Sequence, residues 1–187
     1  MSDAGALFFD CLHPVRLTID QIVEYVQRSF PNVVYDFNWG ERALFYNPNR
    51  QLPKGIYFLT FKESDGANDH ASKIGAGEFR LNVGISKRAF IERFGTVPDR
   101  PSAGCIVNSD HDFTQSNIVT PHPVYGWMCW IAVKNPSPET LNELKPLLAE
   151  SYQLATEKFK KRVASAARKA AQPVIPPDLA PEAVQDL

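Results

Sequence analysis

Residues 79–86, Phe79-Arg80-Leu81-Asn82-Val83-Gly84-Ile85-Ser86, decide the fold. Phe79, Leu81, Val83 and Ile85 alternate with Arg80, Asn82 and Gly84, the period of two that sets one face of a β-strand against a core and the other toward water. Ser86 is then an N-cap for residues 87–94, where Phe90, Ile91 and Phe94 can face a sheet while Lys87, Arg88, Glu92 and Arg93 face solvent. A half-buried strand running into a short amphipathic helix is thus the unit from which the rest can be placed.

Upstream, Ile19, Ile22, Val23 and Val26 follow helical spacing, with Thr18 placed to cap and Pro31 to stop, which predicts a helix over 19–29. Three short apolar or β-branched runs, 33–37, 43–46 and 56–61, are separated by turn-rich Asn38-Trp39-Gly40 and Asn47-Pro48-Asn49-Arg50 and read as an antiparallel meander. Residues 64–77 form a polar loop. Downstream, 95–125 shows little periodicity and holds four prolines, Pro98, Pro101, Pro121 and Pro123. A loop of that length tends to be functional. The apolar run 127–133 reads as a buried strand, and Ser137-Pro138-Glu139 gives three agreeing helix-start signals before Leu141, Leu144, Leu148, Tyr152 and Phe159. Pro146 inside that pattern predicts a kink or a break between two helical pieces.

The chain has 187 residues, 44% of them hydrophobic, enough for one domain with a real core and too few for two. Twenty basic and 21 acidic residues exclude a uniformly cationic nucleic-acid glove. The balance conceals a partition: residues 1–156 hold 14 basic and 17 acidic side chains, 157–172 hold six and one, and 173–187 none and three. The expected organisation is an N-terminal segment 1–17, a single α+β domain 18–162, a basic helix extension 163–172 and a Pro-rich disordered tail 173–187. No apolar run approaches the roughly 18 residues of a membrane span and the start lacks a signal-peptide pattern, so a cytoplasmic protein without membrane association is expected. Cys11, Cys105 and Cys129 are odd in number and distant in sequence, which favours reduced thiols over a disulfide framework or cysteine metal site.

Three groups of residues bear on chemistry. Asp110-His111-Asp112-Phe113 and Pro121-His122-Pro123-Val124-Tyr125-Gly126 supply imidazoles and carboxylates. His111 or His122 is the candidate general base, with Asp112 or Tyr125 as orienting partner. The ordinary alternative is that these side chains brace the loop through local hydrogen bonds. Their spacing matches no compact ligand motif, so no metal is assigned and no cofactor is expected. Arg80 and Asn82 on the polar side of the strand, with Trp127, are the candidate ligand contacts. Lys160, Lys161 and Arg162 at the basic end of the last helix, together with Arg80, Lys87, Arg88 and Arg93, could neutralise phosphates, with Trp39, Trp127 or Tyr125 stacking on unpaired bases. A lysine-rich helix end is also an ordinary solvated terminus. Cys129 in an apolar run reads as packing, and no feature activates Cys105.

The ordered set of 79–86, Asp110-His111-Asp112-Phe113, Pro121-His122-Pro123-Val124-Tyr125-Gly126 and Asn135-Pro136-Ser137 before a final helix resembles a family of small microbial proteins, a domain of unknown function, over about residues 18–162. The chain is also distantly similar to the MmcQ/YjbR proteins, through the strand, short helix, His-bearing loop, Trp-bearing strand and a C-terminal helix with Ser151-Tyr152-Gln153-Leu154. That resemblance implies an α+β fold with an antiparallel sheet backed by helices on one face, and a DNA-binding role. Residues 116–130 hold no Lys or Arg, a departure from the cationic patch the resemblance implies around the His-bearing loop. The expected function is a binding module for an unidentified small molecule, with the 95–125 loop forming the site over one end of the sheet. A small cofactor-free enzyme and a weak DNA binder are the alternatives, and the residues leave open whether the chain is an enzyme.

Overall fold

The computed structural model describes residues 16–38 and 40–171. Thr18 and Gln21 start the first helix reciprocally: the Gln21 amide donates to Thr18 Oγ1 at 3.2 Å and the Thr18 amide to Gln21 Oε1 at 2.8 Å. The helix, α1, spans Ile19–Ser29 and buries Ile19, Ile22, Val23 and Val26. Strands β1 (Val33–Asn38), β2 (Glu41–Tyr46) and β3 (Ile56–Lys62) follow as an antiparallel meander. The deciding stretch forms β4 (Arg80–Gly84) and α2 (Lys87–Phe94), with the Ala89 amide donating to Ser86 Oγ as the N-cap. Then come β5 (Val119–Pro121), β6 (Trp130–Lys134) and α3 (Pro138–Ala171).

The six strands lie in the order β1-β2-β3-β4-β6-β5, every neighbouring pair antiparallel. One hydrophobic cluster joins Ile22 and Val26 of α1, Phe90 of α2, and Leu144, Leu148 and Ala155 of α3 to Leu44, Leu59, Phe61, Leu81, Val83, Ile131 and Val133 of the sheet. All three helices therefore cover one face, and the architecture is α+β as the sequence implies. Leu144 and Leu148 are fully buried. Truncating either to Ala removes about 2–5 kcal/mol, a large share of the stability of one domain. The Glu150 carboxylate ties α3 to α2 by accepting from the Ser86 hydroxyl at 2.8 Å and amide at 3.2 Å.

The β2–β3 ladder contains a bulge. Leu44 pairs with Leu59 but Phe45 pairs with Tyr57, so Phe58 is an extra residue. Phe58 and Leu59 consequently both lie in the helix-side core, while Tyr57 points to the other face.

Four sequence expectations change. The strand 79–85 is not half-buried: Arg80 and Asn82, on its polar side, are each only 1% exposed, because the 63–79 segment folds over that end of the sheet. Residues 127–133 are not one strand; a 3-10 turn over Gly126–Met128 leads to Cys129 at φ 60°, and only then does β6 begin. Residues 95–125 are not wholly a loop, since β5 lies within them and Val107 and Phe113 are buried. Pro146 does not break the last helix: α3 is continuous through it, and Pro146 is exposed, so the carbonyl four residues earlier loses an amide donor where water can replace it. Cys105 is exposed and Cys129 buried, and burial pushes the Cys129 thiol up from its ordinary range. Cys11, Trp39 and the 173–187 tail lie outside the described residues. No helix among those described is long and apolar enough to cross a membrane.

Candidate functional site

Strand register determines what the helix-free face of the sheet displays, since directly opposed residues share a face. Ala43, Thr60, Asn82, Ala132 and Thr120 form one row across five strands. On one side of it stand Lys62, Arg80 and Lys134 in register; on the other, Trp130 opposes Gly84 and Tyr57 opposes Phe45. The charged row is roofed and the aromatic row is open.

Roofing the charged row produces a saturated network. Arg80 donates from Nε to Asn82 Oδ1 at 2.8 Å, from Nη1 to Asp69 Oδ1 at 3.0 Å and Ser72 Oγ at 2.9 Å, and from Nη2 to Asp69 Oδ2 at 2.6 Å. Its remaining direction faces His122 Nε2 at 3.1 Å. A guanidinium has five N–H donors, so none is left for a ligand. Burial raises the Asp69 carboxyl, but hydrogen bonding and charge from Arg80, helped by Lys62 at 3.7 Å, outweigh it and hold the group below its ordinary range. Lys62 also pairs with Glu41 at 3.2 Å. Lys134 pairs with Glu78 at 3.0 Å. A hydrogen bond from the Gly75 amide, then Lys134, hold the Glu78 carboxyl low. No buried side-chain polar atom among the described residues lacks a partner.

His122 is pinned from both sides. Its Nδ1 accepts from the amides of Val124 and Tyr125, each at 3.0 Å, while Nε2 meets Arg80, which is only a donor. An imidazolium has no acceptor and would confront donors at both nitrogens. Burial first, and the Arg80 charge second, push its pKa well below 6.5, against a smaller opposing pull from Asp69. The ring is neutral and accepts at one nitrogen only: with Nδ1 taking the two amides, the proton lies on Nε2 and abuts Arg80 without a hydrogen bond, so neither nitrogen is free to collect a proton from a substrate.

The open row forms a cleft of about 380 Å³ lined by Glu41, Ala43, Phe45, Tyr57, Thr60, His122, Tyr125, Met128 and Trp130. Tyr57 is 44% exposed, Tyr125 49% and Met128 50%, so three of the protein's large apolar side chains in water surround one depression. The Tyr57 and Trp130 rings are 5.6 Å apart, and a methyl group at Gly84 would stand 3.0 Å from the Trp130 indole. Glycine there lets the indole lie against the sheet. Asn82 Nδ2 donates to Thr60 Oγ1 at 3.0 Å, which occupies that oxygen's acceptor side and leaves its hydroxyl proton for the cleft.

The profile of a family of unknown function, DUF6194, matches residues 17–164. The chain belongs to that family. The DUF6194 match takes in every strand, α1, α2, all the cleft-lining residues and most of α3. No curated protein and no solved structure matches the chain. The comparisons show no link to the MmcQ/YjbR proteins.

Within this DUF6194 chain the residues singled out from sequence separate. His122 and Tyr125 come together, ring centroids 5.0 Å apart, at the wall of the cleft. His111 and Asp112 are exposed and do not line it: His111 Nδ1 meets Ser109 Oγ at 2.7 Å and its ring packs edge-on to Phe94. Hydrogen bonds from the Thr114 hydroxyl and amide hold the Asp112 carboxyl below its ordinary range. Arg80 and Asn82 lie beneath the cleft. Trp127 lies outside it under Arg100, whose guanidinium is 4.9 Å from the ring. Phe45, Tyr57, Thr60, Met128 and Trp130 were missed from sequence. The available signal was Gly84 and Trp130, a large ring opposite the only residue that accommodates it, but it is visible only once β4 and β6 are in register. No group of three potential metal ligands occurs among the described residues.

Proposed function

We propose that this DUF6194 chain is a small-molecule binding module whose site is the open cleft on the helix-free face of the sheet. The observation that carries the reading is the pairing of an aromatic wall, Phe45, Tyr57 and Trp130, with a polar underlayer whose side chains already engage one another. Such a surface presents a ring-stacking platform and a few oriented donors while the groups that hold its shape are occupied elsewhere. A planar, partly apolar ligand fits between Tyr57, Trp130 and Tyr125, with the Thr60 hydroxyl donating to an acceptor on its edge. The 95–125 loop contributes His122 indirectly, by fixing the wall, and Tyr125 at its end supplies the rim. Residues 18–162 serve as the binding domain, 163–172 as a basic extension and 173–187 as a tail, in a cytoplasmic protein.

Acid–base catalysis by His122 is the weaker reading, because both ring nitrogens already face donors. His111 and Asp112 are not part of the cleft and supply it no substitute base. The test is a ligand-observed NMR screen of a library of planar metabolites, repeated on Trp130→Leu and on the remote surface variant Glu143→Gln. Binders should be retained by Glu143→Gln and lost by Trp130→Leu while the far-ultraviolet circular dichroism of both stays unchanged. A screen whose hits bind all three proteins alike refutes the site.

A further inference from the structure

The cleft does not end at its aromatic wall. Tyr57, Met128 and Trp130 are also walls of a second depression of about 470 Å³, completed by Gly55, Ile56 and three side chains of α3: Lys158, Lys161 and Arg162. The helix that backs the opposite face of the sheet thus passes beyond its end and delivers cations to the same aromatic group. Positions 158, 161 and 162 are spaced i, i+3 and i+4, which places all three on one helix face. No ion pair joins any of them to a carboxylate among the described residues, and no Asp or Glu lines this second depression. Glu41, the acidic group of the first cleft, is engaged by Lys62. Three mutually repelling cations beside a half-buried indole and an exposed phenol ring are complementary to an anion attached to a flat body.

We infer that the two depressions are one site for an aryl phosphate: a planar ring over Tyr57 and Trp130 whose phosphate is held by Lys158, Lys161 and Arg162. The inference rests on the cleft reading above and adds the charge of the ligand and the end at which it is recognised. It also divides the basic residues of the helix. Lys161 and Arg162 belong to the site with Lys158, whereas Lys160 does not line it.

The experiment is isothermal titration of the full chain with 1-naphthyl phosphate, AMP and flavin mononucleotide beside 1-naphthol, adenosine, riboflavin and inorganic phosphate. At least one aryl phosphate should bind about tenfold or more tightly than its dephosphorylated partner, as charge-assisted contacts require. The triple variant Lys158→Gln/Lys161→Gln/Arg162→Gln should erase that ratio while retaining the neutral ring compound. Because these side chains are exposed on the helix surface, the variant keeps the core intact. Equal affinity for the phosphorylated and neutral members overturns this inference and leaves the aromatic cleft standing. A preference that survives in the triple variant also overturns it, by putting the anion elsewhere. Absence of binding by every ring compound removes both readings. Salt-sensitive binding of a short DNA duplex that depends on the three cations, without aryl phosphate binding, assigns them to nucleic acid and overturns the inference.

Discussion

Lowering the pH below about 6.5 should destabilise this protein through His122, in proportion to the protons its ring takes up only when unfolded. The folded pKa is well below 6.5 through burial and the Arg80 charge, while the unfolded imidazole titrates near 6.5. Between those values the unfolded state binds one more proton, so stability rises with pH and is lost as pH falls. The loss begins near the unfolded pKa and continues toward the folded one. From about pH 7.5 to about pH 5.5 the linkage relation, set by the unfolded pKa of about 6.5, caps the loss from this one residue at about 1.4 kcal/mol, and at about 2 kcal/mol by about pH 5. Urea denaturation followed by tryptophan fluorescence at these pH values measures it. His122→Asn is the control, because its Oδ1 can take the place of Nδ1 as acceptor for the Val124 and Tyr125 amides, and it cannot titrate. The variant will start less stable, since Arg80 loses a neighbour, but its stability should fall less between about pH 7.5 and 5.5, by up to about 1.4 kcal/mol. Parallel pH dependences for the two proteins, or a folded-state His122 NMR titration centred near 6.5, would refute the account of the pinned ring.

Other perturbations probe other parts of the structure. Arg80→Met should cost about 3 kcal/mol in urea denaturation, because it leaves the part-buried Asp69 carboxylate with Lys62 as its remaining cation; Arg80→Met/Asp69→Leu should recover a substantial part of that loss. Gly84→Ala should destabilise by about 1–3 kcal/mol and shift the tryptophan emission, since its new methyl displaces the Trp130 indole 3.0 Å away. A wild-type spectrum in Gly84→Ala would contradict the close approach. Pro146→Ala should raise the thermal midpoint, gaining up to about 3 kcal/mol, because α3 is continuous there and regains an amide donor. An unchanged midpoint would mean that the proline costs the helix nothing.

The elements legible in the sequence are those whose signals are local. The helix 19–29 is announced by Thr18 and an apolar stripe, and 87–94 by Ser86; both have these bounds in the structure. The meander follows from short apolar and β-branched runs between turn-forming residues. What escaped depends on contacts distant in sequence. Asp69 and Ser72 sit in a polar stretch that looks like ordinary solvent-facing loop, and nothing nearby indicates that it folds over Arg80. Residues 119–121 are too short for a period and become a strand only because β6 supplies partners. The two histidine segments looked equivalent because each joins an imidazole to turn residues. Tertiary placement separates them: His122 follows an edge strand and turns inward, whereas His111 stays at the surface near Phe94. Pro146 predicts a kink or a break because its local cost is real, but packing of Leu144 and Leu148 on either side keeps the helix from breaking.

The extra residue in β3 acts as a phase shifter. Strand parity alone would put Tyr57 on the same side as Leu59 and Phe61, inside the core; the inserted Phe58 inverts the sequence frame so that the chain changes sides between positions 57 and 59. Both surfaces are therefore encoded in one seven-residue strand, out of step with each other. Deleting Phe58 would restore uninterrupted pleating with Leu44 still opposite Leu59 and Phe45 still opposite Tyr57, so the phenol of Tyr57 would keep its face while the core lost one phenyl ring; inserting or removing a residue without closing the bulge would instead turn Tyr57 toward the helices. A strand without the bulge matches both surfaces only when a one-residue gap is placed at Phe58; aligned without that gap, its cleft-facing residue would fall on the core-facing Phe58.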